Sequence, residues 1–269
     1  MRRWALNIFL RELKANFKSL VIWSAILALL IMIAVAKFSA FAGNPETLAL
    51  LDSMPPAMLD ALSMRAFNLT TLSGFYGLMF VYFAIMGAIA AAMWGSDTIS
   101  KEERDRTVEF SLVLPVSRSR VVTAKALAAL VYCVAFVLIT WAISLVAVRS
   151  YSPDQAFYKF LALEMLAMFL IELIFLAVGL LLGCAMKRYK LAGSTVVAII
   201  LGTYVISIMS QMKESLDDLK YVTPFRYFSA ADLLRDGRIE GVYLVISAAI
   251  IVLCVAGAYL TYRRRDLYI

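Results

Sequence analysis

The stretch Tyr158–Met186 reads YKFLALEMLAMFLIELIFLAVGLLLGCAM. It contains no proline, and its only charged residues are Lys159, Glu164 and Glu172. As a helix it exceeds the roughly 20 residues that cross the hydrocarbon core of a bilayer. Working outward, five further runs have the same character: Leu20–Phe41, Leu72–Trp94, Val121–Val148, Leu191–Met209 and Val242–Tyr262. All six prolines, Pro45, Pro55, Pro56, Pro115, Pro153 and Pro224, fall between the runs, so unbroken helices are expected. The reading is an all-α integral membrane protein with six transmembrane helices.

Composition agrees. Hydrophobic residues make up 63% of the chain and charged residues 17%, against roughly half apolar in soluble domains. Once the apolar runs are set aside, no remaining segment is long enough to bury a core of its own, so residues 1–269 read as one membrane domain. Histidine is absent, which removes the commonest general base and metal ligand. Cys133, Cys184 and Cys254 sit in apolar runs without metal-ligand spacing, so neither a metal site nor a catalytic constellation is expected. The net charge of +7 comes with no basic run interleaved with aromatics. It points to anionic membrane lipid and away from nucleic acid.

The basic residues also orient the chain. Arg2, Arg3, Arg11, Lys14 and Lys18 precede the first run, and Lys101, Arg104, Arg106, Arg118 and Arg120 follow the second. Lys187, Arg188 and Lys190 follow the fourth run, and Arg263 to Arg265 the sixth. These regions are expected in the cytoplasm of a plasma-membrane protein, with both termini inside. Lys213, Lys220, Arg226, Arg235 and Arg238 lie in the last outer loop, so the rule holds as a bias. Ala40-Phe41-Ala42 resembles a signal-peptide cleavage site, but the apolar run is too long and the leading segment too extended, so an uncleaved span is expected.

Residues 3–18 place Arg3, Asn7, Arg11, Lys14 and Lys18 opposite Leu6, Leu10, Leu13 and Phe17, an amphipathic pattern expected to lie on the cytoplasmic membrane surface. Between the second and third runs comes SDTISKEERDRTVEFSLVLPVSRSR, Ser96–Arg120. It is longer than a helix connection requires, and its charges nearly cancel. Ser100 and Glu103 fit a capping box, Pro115 a stop and Ser117 the next cap, which predicts a short helix across the cytoplasmic face. Its mixed charge and apolar content suit docking of a soluble protein.

Within the fourth run, Glu164 and Glu172 are eight residues apart, on roughly one helix face. A membrane-embedded carboxylate is costly and marks a functional candidate. Recognition of a cationic substrate is one reading, and a neutral acid hydrogen-bonded between helices is the other. Gly179 and Gly183 form Gly-x-x-x-Gly, which permits close helix approach. Residues 214–241 mix acids, bases and aromatics and are expected to form an amphipathic outer element closing an exit, with Pro224 and Phe225 as gate residues.

The run Ile99-Ser100-Lys101-Glu102-Glu103-Arg104, then Thr107-Val108-Glu109, Leu114-Pro115-Val116-Ser117-Arg118 and Lys125, resembles the signature of the ABC-2 type exporter permeases. Arg106 stands where that pattern often has Gly, and Phe110-Ser111 where a Leu pair is usual. The stretch Leu219–Phe228, with Thr223-Pro224-Phe225, is similar to the family's Ser-Pro-Phe segment. The resemblance covers essentially the whole chain as one permease domain. It implies a second permease subunit, as homodimer or heterodimer, and a separate ABC ATPase that docks on the loop. ATP and Mg would bind that partner, because this chain has no G-x-x-x-x-G-K-[ST] run. Glu102, Glu103, Arg104, Thr107, Glu109, Pro115, Ser117 and Arg118 are the implied coupling residues. Export by alternating access is the expectation. The alternatives are a non-transporting immunity or sensing partner of an ATPase, and a membrane enzyme using the two carboxylates.

Overall fold

The computed structural model describes residues 2–42, 53, 55, 67–104, 117–186, 189–212 and 214–264. Among these every regular element is helical: α1 (Arg2–Phe38), α2 (Leu72–Arg104), α3 (Arg118–Val148), α4 (Gln155–Ala185), α5 (Tyr189–Met212), the short α6 (Pro224–Tyr227) and α7 (Ala230–Asp236), and α8 (Gly241–Arg264). Two 3₁₀ segments, Arg149–Tyr151 and Glu214–Tyr221, connect α3 to α4 and α5 to α6. Helices α1 to α5 and α8 are each long and apolar enough to cross a bilayer.

Local chemistry sets the ends. Ser152 takes a left-handed conformation (φ 45°) to turn the chain after α3. Asp154 then caps α4, its carboxylate accepting from the Phe157 N–H at 2.9 Å and so satisfying one of the orphan donors of the first turn. Helix α7 ends on Gly237 at φ 62°, a position that suits glycine because it has no Cβ to clash.

Helices α2 and α4 form the buried centre. Their backbones nearly touch along a seam. A Cβ on Gly179 would strike the Ala92 carbonyl, one on Gly95 the Leu176 carbonyl, and one on Gly183 would lie 2.6 Å from the Ser96 carbonyl. This closeness maximises dispersion contact where lipid supplies no hydrophobic drive between helices. Helix α3 packs beside the pair and carries α1 on its flank, α8 covers α4, and α5 lies along α2. Outward faces stay apolar: Leu29 of α1 and Val245, Val252 and Leu253 of α8 are all more than 60% exposed. That is the pattern of helices solvated by lipid.

The structure departs from expectation in two places. Residues 3–18 are not a separate element, because α1 runs unbroken from Arg2 into the span. Their leucine stripe is divided as well, with Leu13 packed on the core and Leu6, Leu10 and Phe17 exposed. Helix α2 likewise runs through Ser100 to Arg104, so no helix starts at Ser100. An interior residue has no orphan N–H to cap, and the capping-box pattern has nothing to act on there. Residues 105–116, which hold the rest of the expected loop helix, lie outside the described residues.

Candidate functional site

The end of α2 and the start of α3 lie at the same end of the bundle, joined by the charged loop. Glu102, Glu103 and Arg104 occupy the last turn of α2, about 8–10 Å beyond the span limit at Asp97. Thr107, Glu109 and Pro115 lie outside the described residues. Ser117 stands at the N-cap of α3 with extended backbone (φ −67°, ψ 145°), and its hydroxyl makes no capping bond. Its carbonyl instead accepts from the Arg120 and Val121 N–H groups at 3.0 and 3.3 Å.

From this point α3 is gripped by the two outer helices. Arg118 Nη1 donates to the Tyr262 carbonyl of α8 at 3.4 Å. One turn further, Thr123 Oγ1 and the Tyr259 hydroxyl are 2.6 Å apart. On the α1 side, Lys125 Nζ sits 3.4 Å from Glu12 Oε1, with the lysine side chain 1% exposed. Tyr132 donates its hydroxyl proton to the Leu13 carbonyl, and Trp94 Nε1 of α2 donates to Ser19 Oγ at 3.0 Å. The first four turns of α3, from Arg118 to Tyr132, are therefore the node where α3 meets α1 and α8.

Most of this node escaped the sequence reading. Lys125 entered only through the family resemblance, while Glu12, Ser19, Tyr132 and Tyr259 were not singled out. A signal existed for the ion pair. Glu12 is the single acid among the basic residues of the first twenty, and Lys125 is a lone charge inside an apolar run. Each needs a partner once buried.

Glu164 and Glu172 both face inward from α4 and are fully buried. None of their four carboxyl oxygens has a hydrogen-bond partner, and neither forms an ion pair among the described residues. The Tyr76 hydroxyl of α2, an electrostatic neighbour of Glu164, is 2.6 Å from Ser144 Oγ of α3. Glu172 lies beside the Cys133 thiol of α3 and against Gly87 of α2. The structure thus brings both carboxyls into the α2–α3–α4 core, at two levels about 12 Å apart along the helix.

Between α4 and α5, Pro224 occupies the first turn of α6, and both it and Phe225 are buried. The Phe225 ring packs on Phe175 of α4 at 5.6 Å and Tyr204 of α5 at 5.9 Å. Thr223 Oγ1 ties this turn to α5 by donating to the Thr203 carbonyl at 2.7 Å. Phe225 and Phe228 wall a small cavity of about 50 Å³ between α2, α4 and α5, whose polar lining includes Ser207, Gln211 and Ser229. Arg226 pairs with Asp232, which also accepts from Arg235 at 3.1 Å. The exposed Asp236 carboxyl is held below its usual range by the hydrogen bonds from the Arg235 guanidinium.

Six apolar helices with lipid-type outer faces, a near-touching central helix pair and a charged loop between the second and third define a multi-pass helical membrane protein. Residues 6–267 match the family described as ABC-2 family transporter protein, nearly the whole chain, and the protein belongs to that family. No curated protein matches the sequence. The family is one of transporter proteins, which suggests a transport role for this membrane protein.

Proposed function

We propose that this chain is the permease subunit of an ATP-binding cassette exporter. It moves substrate out of the cytoplasm by alternating access, beside a second permease subunit, in the plasma membrane with both termini inside. ATP and Mg bind a separate ATPase that docks on the loop between α2 and α3. Glu102, Glu103, Arg104, Thr107 and Glu109 make the docking contacts, and Pro115, Ser117 and Arg118 pass displacement into α3. Pro224 and Phe225 close the outer side, while Gly179 and Gly183 hold the central pair together.

The observation that carries this reading is the node at the base of α3. Because Arg118, Thr123, Lys125 and Tyr132 bind α8 and α1, a push on the loop reaches three spanning helices through hydrogen bonds and a buried ion pair. A loop that merely connected two helices would need none of these ties.

Purification from the native membrane in mild detergent tests the reading. The expected result is a stoichiometric soluble ATPase whose turnover rises on association. A chain isolated alone and carrying its own hydrolytic activity would overturn it.

A further inference from the structure

Glu164 and Glu172 take no part in the coupling scheme, yet burying an acid within a membrane bundle is costly. Both are fully buried and all four carboxyl oxygens lack a hydrogen-bond partner. A packing role would be served at lower cost by an apolar side chain of similar volume.

The groups around Glu164 decide which protonation state the site accommodates. Ser144 Oγ donates to the Thr140 carbonyl at 2.8 Å, and Thr140 Oγ1 donates to the Phe136 carbonyl at 2.8 Å. With the serine proton committed, Tyr76 must donate its own proton across the 2.6 Å contact to Ser144. Tyr76 therefore has no proton left to offer Glu164. An ionised carboxylate therefore gains no donor from it.

Glu172 sits in a tight niche. A Cβ at Gly87 would lie 2.8 Å from its Oε1 and 3.4 Å from its Cγ, so the carboxyl occupies the place where α2 has no side chain. On this side there is no room for a metal ion or an organic cation between carboxyl and backbone. A proton needs no such room. From α3 the titratable neighbour is Cys133, and from α2 that of Glu164 is Tyr76. Among the described residues neither acid forms an ion pair with a group of any other element.

We propose that Glu164 and Glu172 are proton-binding sites, each holding a proton while α2, α3 and α4 are packed together and releasing it to water when these helices part. The permease then carries a proton cycle inside an ATP-driven one. Release breaks the carboxyl O–H bond and leaves a carboxylate hydrated in the opened bundle, and repacking takes the proton back. The parting of the helices rests on the permease reading, but proton occupancy in the packed state does not.

Infrared spectroscopy of the purified chain in a hydrated lipid film reads occupancy directly through the carbonyl stretch of an un-ionised acid. At pH 7, nearly three units above the ordinary glutamate value of about 4.3, that band is expected to be present. It should weaken in Glu164→Gln and Glu172→Gln, vanish in the double variant, and shift without loss in Glu164→Asp and Glu172→Asp. A missing band, or one that all these substitutions leave unchanged, would overturn the proposal while leaving the permease reading intact. The release step is read with a pH-sensitive dye on the purified complex with its ATPase, in weak buffer, on adding a non-hydrolysable ATP analogue. Proton release in the wild type that is absent from the double Gln variant is expected, and identical traces would refute the cycle. If no ATPase accompanies the chain, the permease reading fails and the infrared band still decides occupancy.

Discussion

Lys125 of α3 lies 3.4 Å from Glu12 of α1, buried at the foot of the helix that receives the charged loop. Removing one member of such a pair leaves a charge in an apolar surround, at a cost of about 3–5 kcal/mol. Removing both leaves none. Lys125→Met and Glu12→Gln are each expected to lower the thermal midpoint of the chain in detergent, and the double variant to recover most of the loss. Additive losses in the double variant would show that the two residues act independently.

The central seam makes a sharper steric claim. Gly179→Ala drives a methyl into the Ala92 carbonyl and Gly95→Ala into that of Leu176, both backbone atoms that cannot rotate away. Each should destabilise by about 1–3 kcal/mol through overpacking. Gly193 and Gly202 have nothing within 4 Å of an added Cβ. Alanine there should be neutral or stabilise by up to about 1 kcal/mol through helix propensity, so thermal melts of the four variants separate close approach from general intolerance of substitution.

Phe225 packs between Phe175 and Tyr204 and walls the small cavity that Ser207 helps line. Truncation in Phe225→Ala should cost about 3 kcal/mol and open that cavity. In a Ser207→Cys background the rate of modification by a small thiol reagent is expected to rise several-fold on adding Phe225→Ala. An unchanged rate would place the closure elsewhere. Thr223→Val, which removes the bond to the Thr203 carbonyl, should cost about 1 kcal/mol.

The coupling proposal predicts that reversing charge in Glu102→Lys plus Glu103→Lys leaves insertion and folding intact, because both residues lie beyond the span limit on the last turn of α2. Co-purification of the ATPase should fall at least several-fold. Wild-type levels of both co-purification and transport would sink the assignment.

The six spans, their order and nearly all their limits were legible in the chain, because a bilayer imposes one demand on every crossing segment: enough apolar residues in a row, with the backbone bonded to itself. That demand is local and can be read one segment at a time. Gly179 and Gly183 stood out for the same reason, since their spacing alone puts them on one helix face. Which surface they meet was not legible. The Ala92, Gly95 and Ser96 backbone of α2 lies some eighty residues away, and lipid-facing and protein-facing sides of a membrane helix are both apolar, so hydropathy does not distinguish them. The same ambiguity divided the leucine stripe of α1, turning Leu13 inward and Leu10 outward. Ser100 misled for a related reason, because a capping pattern is a preference for where a helix begins and cannot stop one already under way. The pairing of Glu12 with Lys125, and the lack of an ion pair for Glu164 and Glu172 among the described residues, were settled only in three dimensions. Whether a buried charge is matched depends on which helices lie side by side, and that is a property of the packed bundle.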